Sequence, residues 1–166
     1  MKYNVFAIIF FALCTMTSHA QDNRWAFGFY GDVLLEAPAY SGSFGVQGKY
    51  DLSNHQGLQA QVHGRNGFVA VGADYLLSVF NKKDKNFNIF LGAGAGEEFY
   101  SFHDENEIGP ARVQDQLFVM NGQVGVSYLF APVSLSVYSG YKVKYEFEAE
   151  RFQPNFLMFG VRYHLW

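Results

Sequence analysis

Residues 133–148 alternate apolar and polar side chains almost without a break. Val133, Leu135, Val137, Tyr141, Val143, Tyr145 and Phe147 take one parity; Ser134, Ser136, Lys142, Lys144, Glu146 and Glu148 take the other. Successive side chains of a strand point to opposite faces, so this segment has one greasy and one charged face. The same period of two recurs along the chain from Arg24 onward, interrupted by turn residues. It predicts eight strands, over 24–35, 43–52, 57–65, 68–80, 87–102, 116–130, 133–148 and 154–166. Between them lie a loop at 36–42 with Pro38, a turn at 53–56, the hairpin signal Asn66-Gly67, a charged turn at 81–86, a polar stretch at 103–115 and the turn Ala131-Pro132. Residues 150–153 lead into the last strand. Helical periodicity is absent beyond the first 20 residues.

Those first residues read differently. Met-Lys-Tyr-Asn precedes an apolar run from Val5 to Leu13, and Ser18-His19-Ala20 follows. A charged start, a short apolar core and a small-x-small site predict a secretory signal peptide over 1–20, leaving 21–166 as one domain. Cys14 falls inside it, and Leu13 stands where lipoprotein processing needs a small residue, so no lipid anchor is expected. The mature part has no cysteine, which excludes a disulfide-stapled scaffold. A net charge of −3 and a pI near 5.9 argue against a nucleic-acid partner. No later run of 18 apolar residues predicts a transmembrane helix, yet aromatics make up 19% of the chain. That content suits a barrel with aromatic girdles at two interfaces.

The closing strand ends Gly160-Val161-Arg162-Tyr163-His164-Leu165-Trp166. It resembles the C-terminal strand of bacterial outer-membrane β-barrels, whose last aromatic the assembly machinery reads; His164 stands where the usual pattern has its penultimate aromatic. With the eight alternating segments, the mature chain resembles the small eight-stranded outer-membrane barrels of the OmpA membrane-domain and OmpX kind. That resemblance implies an all-β, eight-stranded antiparallel up-and-down transmembrane β-barrel in the bacterial outer membrane. It also implies lipid and lipopolysaccharide around it, the barrel assembly machinery as a partner, and a monomer. Both termini and the turns at 53–56, 81–86 and 131–132 would be periplasmic. The longest stretch, 103–115, would be extracellular and offers a surface for a partner.

In that orientation the interior receives Asp32, Lys49, Asp51, His63, Arg65, Asp74, Glu98, Lys142, Lys144, Glu146, Glu148, Arg162 and His164. Both signs occur, so they can pair. Phe90, Tyr138 and Phe156 are bulky members of the same face. Eight strands leave an interior that side chains can fill, so no open pore is expected. Trp25 and Tyr128 near one end, with Phe44, Tyr145 and Phe147 near the other, would form the interfacial belts. A soluble lipocalin-like carrier of a hydrophobic ligand is the structural alternative, with the apolar face turned inward.

Chemistry-bearing motifs are sparse. Gly92-Ala93-Gly94-Ala95-Gly96 lacks dinucleotide-loop spacing and no helix follows it, so its glycines are expected to make room for large neighbours. Ser101 and His103 share a parity with Glu97, and a histidine beside a serine can act as its base. The set loosely resembles that of outer-membrane lipid A deacylases, which place His before Ser, so a lipid A acyl hydrolase is a second alternative. The residues His103-Asp104-Glu105-Asn106-Glu107 carry calcium-type oxygens without the spacing of a calcium loop. His63, Arg65 and Asp74 are expected to satisfy one another inside. The primary expectation is no catalytic, cofactor-binding or metal-binding residue and no cofactor. The role is then structural or interactive: envelope integrity, adhesion or defence.

Overall fold

The computed structural model describes residues 24–36, 40–82, 84–103 and 112–165. Residues 1–20, expected to be a signal peptide, residues 104–111 and Trp166 lie outside them. Eight strands form: β1 (Trp25–Leu34), β2 (Ser41–Asp51), β3 (Gln56–Arg65), β4 (Phe68–Ser78), β5 (Phe87–His103), β6 (Arg112–Phe130), β7 (Leu135–Glu146) and β8 (Arg151–His164). Each pairs antiparallel with its chain neighbours, and β1 pairs with β8, closing an up-and-down barrel in sequence order. Closure leaves no sheet edge unpaired, which is what lets a barrel stand in an apolar surrounding. The turns after β2, β4 and β6 share one end with Trp25 and His164; we call it the terminal end. The connections after β1, β3, β5 and β7 form the loop end.

Strand existence follows the expected alternation, while three boundaries shift for physical reasons. β6 begins at Arg112 rather than 116, pairing Arg112–Asp115 with His103–Tyr100. Part of the polar stretch 103–115 is therefore hairpin. β4 stops pairing at Phe68↔Tyr100 and β7 at Val119↔Glu146, so the β5–β6 arm projects beyond its neighbours. β7 starts at Leu135, because Ala131–Val133 forms a 3₁₀ turn closed by Ser134 in the left-handed region (φ 52°). β8 starts at Arg151, ahead of Pro154. The register shifts between Lys142↔Phe156 and Lys144↔Gln153, placing an extra residue where Pro154 needs no ladder hydrogen bond. At the Asn66-Gly67 hairpin only Gly67 takes positive φ (73°), where a Cβ would be strained.

The two faces sort as the alternation requires. Phe159, Val137 and Leu91 are exposed on the outside (42%, 37% and 52%), whereas Lys142 and Arg162 are buried in the lumen (2% and 4%). This is the reverse of a lipocalin-like carrier, whose apolar face lines the cavity, and it removes that alternative. Outside, Trp25 stacks on Phe27 and meets Tyr50 at a tilt, and Tyr128 meets Phe130 edge-on, near the terminal end. Phe29 packs on Phe44, and Phe147 on Tyr145 and Phe118, near the loop end. Val46, Val62, Val124 and Val126 cover the exposed surface between.

Inside, Tyr30, Leu76, Phe90, Tyr138 and Met158 form a buried cluster across the middle. Phe90, Tyr138 and Phe156 fill the lumen as expected. Gly94 shows why glycine recurs on β5: a Cβ there would collide with the Asp74 carboxylate and the Ala73 carbonyl. Two of the residues expected inside are not. Arg65 and Glu148 are exposed at the loop end, Arg65 over the Phe68 ring and Glu148 accepting from the Phe118 N–H. Parity assigns a face; it does not assign a height, and both sit where the lumen has already opened.

Candidate functional site in the barrel lumen

Charged residues arrive in the lumen from distant strands because the closed sheet turns their common parity inward. They form a nearly continuous chain of polar contacts. Arg162 donates through Nε to Gln47 (3.1 Å) and through Nη2 to Gln59, and Tyr138 also donates to Gln47 (2.9 Å). Gln59 donates to Gln61 (3.2 Å), and Gln61 and Asn121 each donate to Asp74 (2.9 Å). Lys142 lies 3.9 Å from Asp74 and donates to the Tyr30 hydroxyl (3.0 Å), which donates to Asp32 (3.3 Å). Lys144 then lies 3.4 Å from Asp32 and 2.9 Å from Glu98, which accepts from Tyr100 (2.7 Å). Buried charge is tolerated when it is paired and hydrogen-bonded, and this arrangement supplies both.

The expected trio of His63, Arg65 and Asp74 is not one network. His63 bonds with Ser43 at 2.6 Å, Asp74 belongs to the glutamine chain, and Arg65 stands at the rim. Ser43, His63 and Asp32 have the composition of a nucleophile, base and acid, but not the order. Asp32 accepts from Ser43 and lies 3.8 Å from the same His63 nitrogen that meets the serine. A working set places the acid on the far ring nitrogen, so here the serine is held rather than activated.

Ser101 and His103 close β5 two residues apart, and the Ser101 N–H donates to the Gly67 carbonyl at 2.9 Å. Glu97 is exposed on the outer face, paired across to Val71 and Phe118. The calcium-type residues Asp104 to Glu107 lie outside the described residues. No group of three His, Cys, Asp or Glu that could hold a metal occurs among the described residues.

The central cluster separates two cavities. The loop-end cavity measures about 230 Å³ and carries three acids (Asp32, Glu36, Glu98) and three bases (Arg65, Lys144, Arg151). The terminal-end cavity measures about 570 Å³ and, among the described residues, is lined by five bases (Arg24, Lys49, Lys82, Lys85, Arg162) and one acid, Asp51. Sequence reading missed Arg24, Lys82 and Lys85 as lining residues, whereas Tyr30, Gln47, Gln59 and Gln61 lie buried on the parity it turned inward. The turn at 81–86 reads as solvated charge. In fact Lys82 folds back over the mouth, donating to Asp51 (2.5 Å) and to the Gln56 carbonyl (3.3 Å). Three lysines in a short turn beside the termini were the available signal.

An apolar exterior around a charged, plugged interior defines the class: a small eight-stranded barrel built inside out. Solved structures share the fold. The N-terminal β-barrel domain of Pseudomonas aeruginosa OprF superposes with a TM-score of 0.71 at 12% identity, over 87% of this chain and 98% of that one. Neisserial surface protein A gives 0.56 at 13% identity, over 86% and 97%. Ail, the attachment invasion locus protein of Yersinia pestis, gives 0.51 at 12% identity, over 86% and 97%. All three are small eight-stranded outer-membrane β-barrels. The sequence matches no protein-family model and no curated protein sequence.

Proposed function

We propose that this chain is a bacterial outer-membrane barrel, exported by its N-terminal signal, with a structural or interactive role and neither enzymatic activity nor an open pore. The observation that carries the reading is the apolar exterior around a closed sheet whose wall charges, Glu97 apart, face a plugged lumen. A soluble fold would bury that exterior, whereas acyl chains match it. The terminal end, with the turns after β2, β4 and β6, is periplasmic, and the loop end is extracellular. Lipid and lipopolysaccharide surround the exterior, the assembly machinery engages the closing strand β8, and the barrel works as a monomer without nucleic acid. The projecting β5–β6 arm and residues 103–115 present the surface for a partner in envelope integrity, adhesion or defence; the adhesive role suits a fold shared with a protein named for attachment.

Fractionation tests this directly. The protein is expected in the outer-membrane fraction, with a gel mobility that changes on boiling, and without stepwise conductance in planar bilayers. Recovery wholly in the soluble fraction, with no heat-dependent shift, overturns the membrane reading. Loss of an acyl chain from lipid A, abolished by Ser101→Ala, overturns the non-enzymatic one.

A further inference from the structure

Among the described residues, the cations Lys49, Lys82 and Arg162 at the terminal-end cavity outnumber its one carboxylate, Asp51. Lys49 and Lys82 share a single carboxylate, Asp51, at 2.7 and 2.5 Å. Arg162 forms the floor, buried against the Tyr138 ring (3.9 Å), and its hydrogen bonds go to the neutral amides of Gln47 and Gln59. Among the described residues it has no carboxylate partner. Lys85, exposed over the Phe80 ring, adds to the same wall, in a chain whose net charge is −3. The loop-end cavity, with equal numbers of acids and bases, shows that the interior composition does not impose such an excess.

Burying cations is costly unless an opposite charge meets them. Lys49 and Arg162 are both buried, and they face a space of about 570 Å³, within the range of small-molecule sites. Asn54 also lines the wall, where Asn88 is held by the Phe80 backbone and Ser136 by His164. We propose that the terminal-end cavity is a binding site for a small multivalent anion bearing phosphate or carboxylate groups, held by Lys49, Lys82 and Arg162 and tuned by Asp51. The phosphate of a lipid headgroup at the adjacent bilayer surface and a soluble anion share this chemistry. The site goes beyond the loop-end role proposed above and does not depend on it.

The test uses the full chain purified in uncharged detergent and titrated with inorganic pyrophosphate by calorimetry. Saturable binding of one equivalent is expected, weakening as salt rises. Lys82→Gln, at the partly exposed mouth, is expected to weaken binding about tenfold, the worth of one charge-assisted hydrogen bond. Asp51→Asn is expected to tighten it, a sign that a merely structural role would not give. Arg151→Gln, at the opposite end, leaves it unchanged. Lys49→Gln is expected to abolish binding if it folds; should it not, Lys82→Gln and Asp51→Asn carry the test. Absence of saturable binding at millimolar pyrophosphate, or Lys82→Gln binding like the parent, overturns the proposal. Repeating the titration in phosphatidylcholine nanodiscs with and without phosphatidylglycerol separates the sources. Competition by phosphatidylglycerol supports the site with a lipid headgroup as occupant; undiminished pyrophosphate binding supports it with a soluble one.

Discussion

At the loop end, Lys144 lies between Glu98 and Asp32 at 2.9 and 3.4 Å, its ammonium 4.1 Å from the centre of the Phe156 ring. At the terminal end the ratio inverts, and two lysines converge on the one carboxylate of Asp51. Nearby, Glu146 is buried at the loop end and satisfied by Arg151 and Gln153, whereas Arg162 is buried at the terminal end against amides and the Tyr138 ring. The same residue types on the same strand parity thus serve two ends. Where charges pair one for one, the lumen is a plug that fixes strand register. Where, among the described residues, cations exceed acids around open space, the fold offers a positive potential to a further group. The Tyr30–Tyr138 layer keeps the two apart.

The largest test removes the paired cation. Lys144→Met removes the ammonium that Asp32 and Glu98 share, leaving Asp32 with His63 at 3.8 Å and Glu98 with the Tyr100 hydroxyl. Breaking a buried pair in this way costs about 3–5 kcal/mol. Urea unfolding in micelles should show that loss, and a variant as stable as the parent would mean the loop-end pairs do not hold the plug. A smaller effect is expected at the boundary of the two halves. Gly94→Ala drives a methyl into the Asp74 carboxylate and the Ala73 carbonyl. Backbone cannot swing aside as a long side chain does, so overpacking of about 1–3 kcal/mol is expected in the same measurement.

How far the sequence reveals this follows from what a period of two encodes. It encodes face, so the interior assignments of Lys49, Asp74, Lys142, Lys144 and Arg162 hold. It does not encode height, which is why Arg65 and Glu148 were expected inside and stand at the rim. The early start of β6 was invisible because Arg112–Asp115 pair only with β5, beyond the barrel wall, where no apolar face is required. The early start of β8 was hidden by Pro154, which reads as a strand boundary and sits instead in a bulge. The terminal-end site was illegible for another reason. Its cations come from β2, the turn after β4, and β8, brought together only by closure of the barrel.

A subtler probe concerns Gln123, which is buried with both side-chain polar atoms unpartnered, among the described residues. It pairs across to Lys142 and Gly92, midway between the two cavities. An unsatisfied buried amide costs about 1–3 kcal/mol, so Gln123→Leu should stabilise the barrel by about 1 kcal/mol. Destabilisation would show that this amide has a partner of its own, and that the middle layer is wetter than the two tyrosines imply.

The smallest effect bears most directly on the contrast between the ends. Lys82 is partly exposed and Asp51 keeps Lys49 when it is removed, so Lys82→Gln breaks one pair without stranding a charge. Exposed pairs contribute about 0–1 kcal/mol, and here the loss is offset by relief of repulsion among Lys49, Lys82 and Arg162. The unfolding midpoint in urea should therefore barely move in low salt, in contrast to Lys144→Met. Added pyrophosphate should raise the parent's midpoint more than the variant's, because a ligand that binds only the folded state stabilises it by mass action. If Lys82→Gln instead destabilises as much as Lys144→Met, with or without the anion, the terminal-end cations are structural after all, and the two halves of the lumen differ in composition but not in kind.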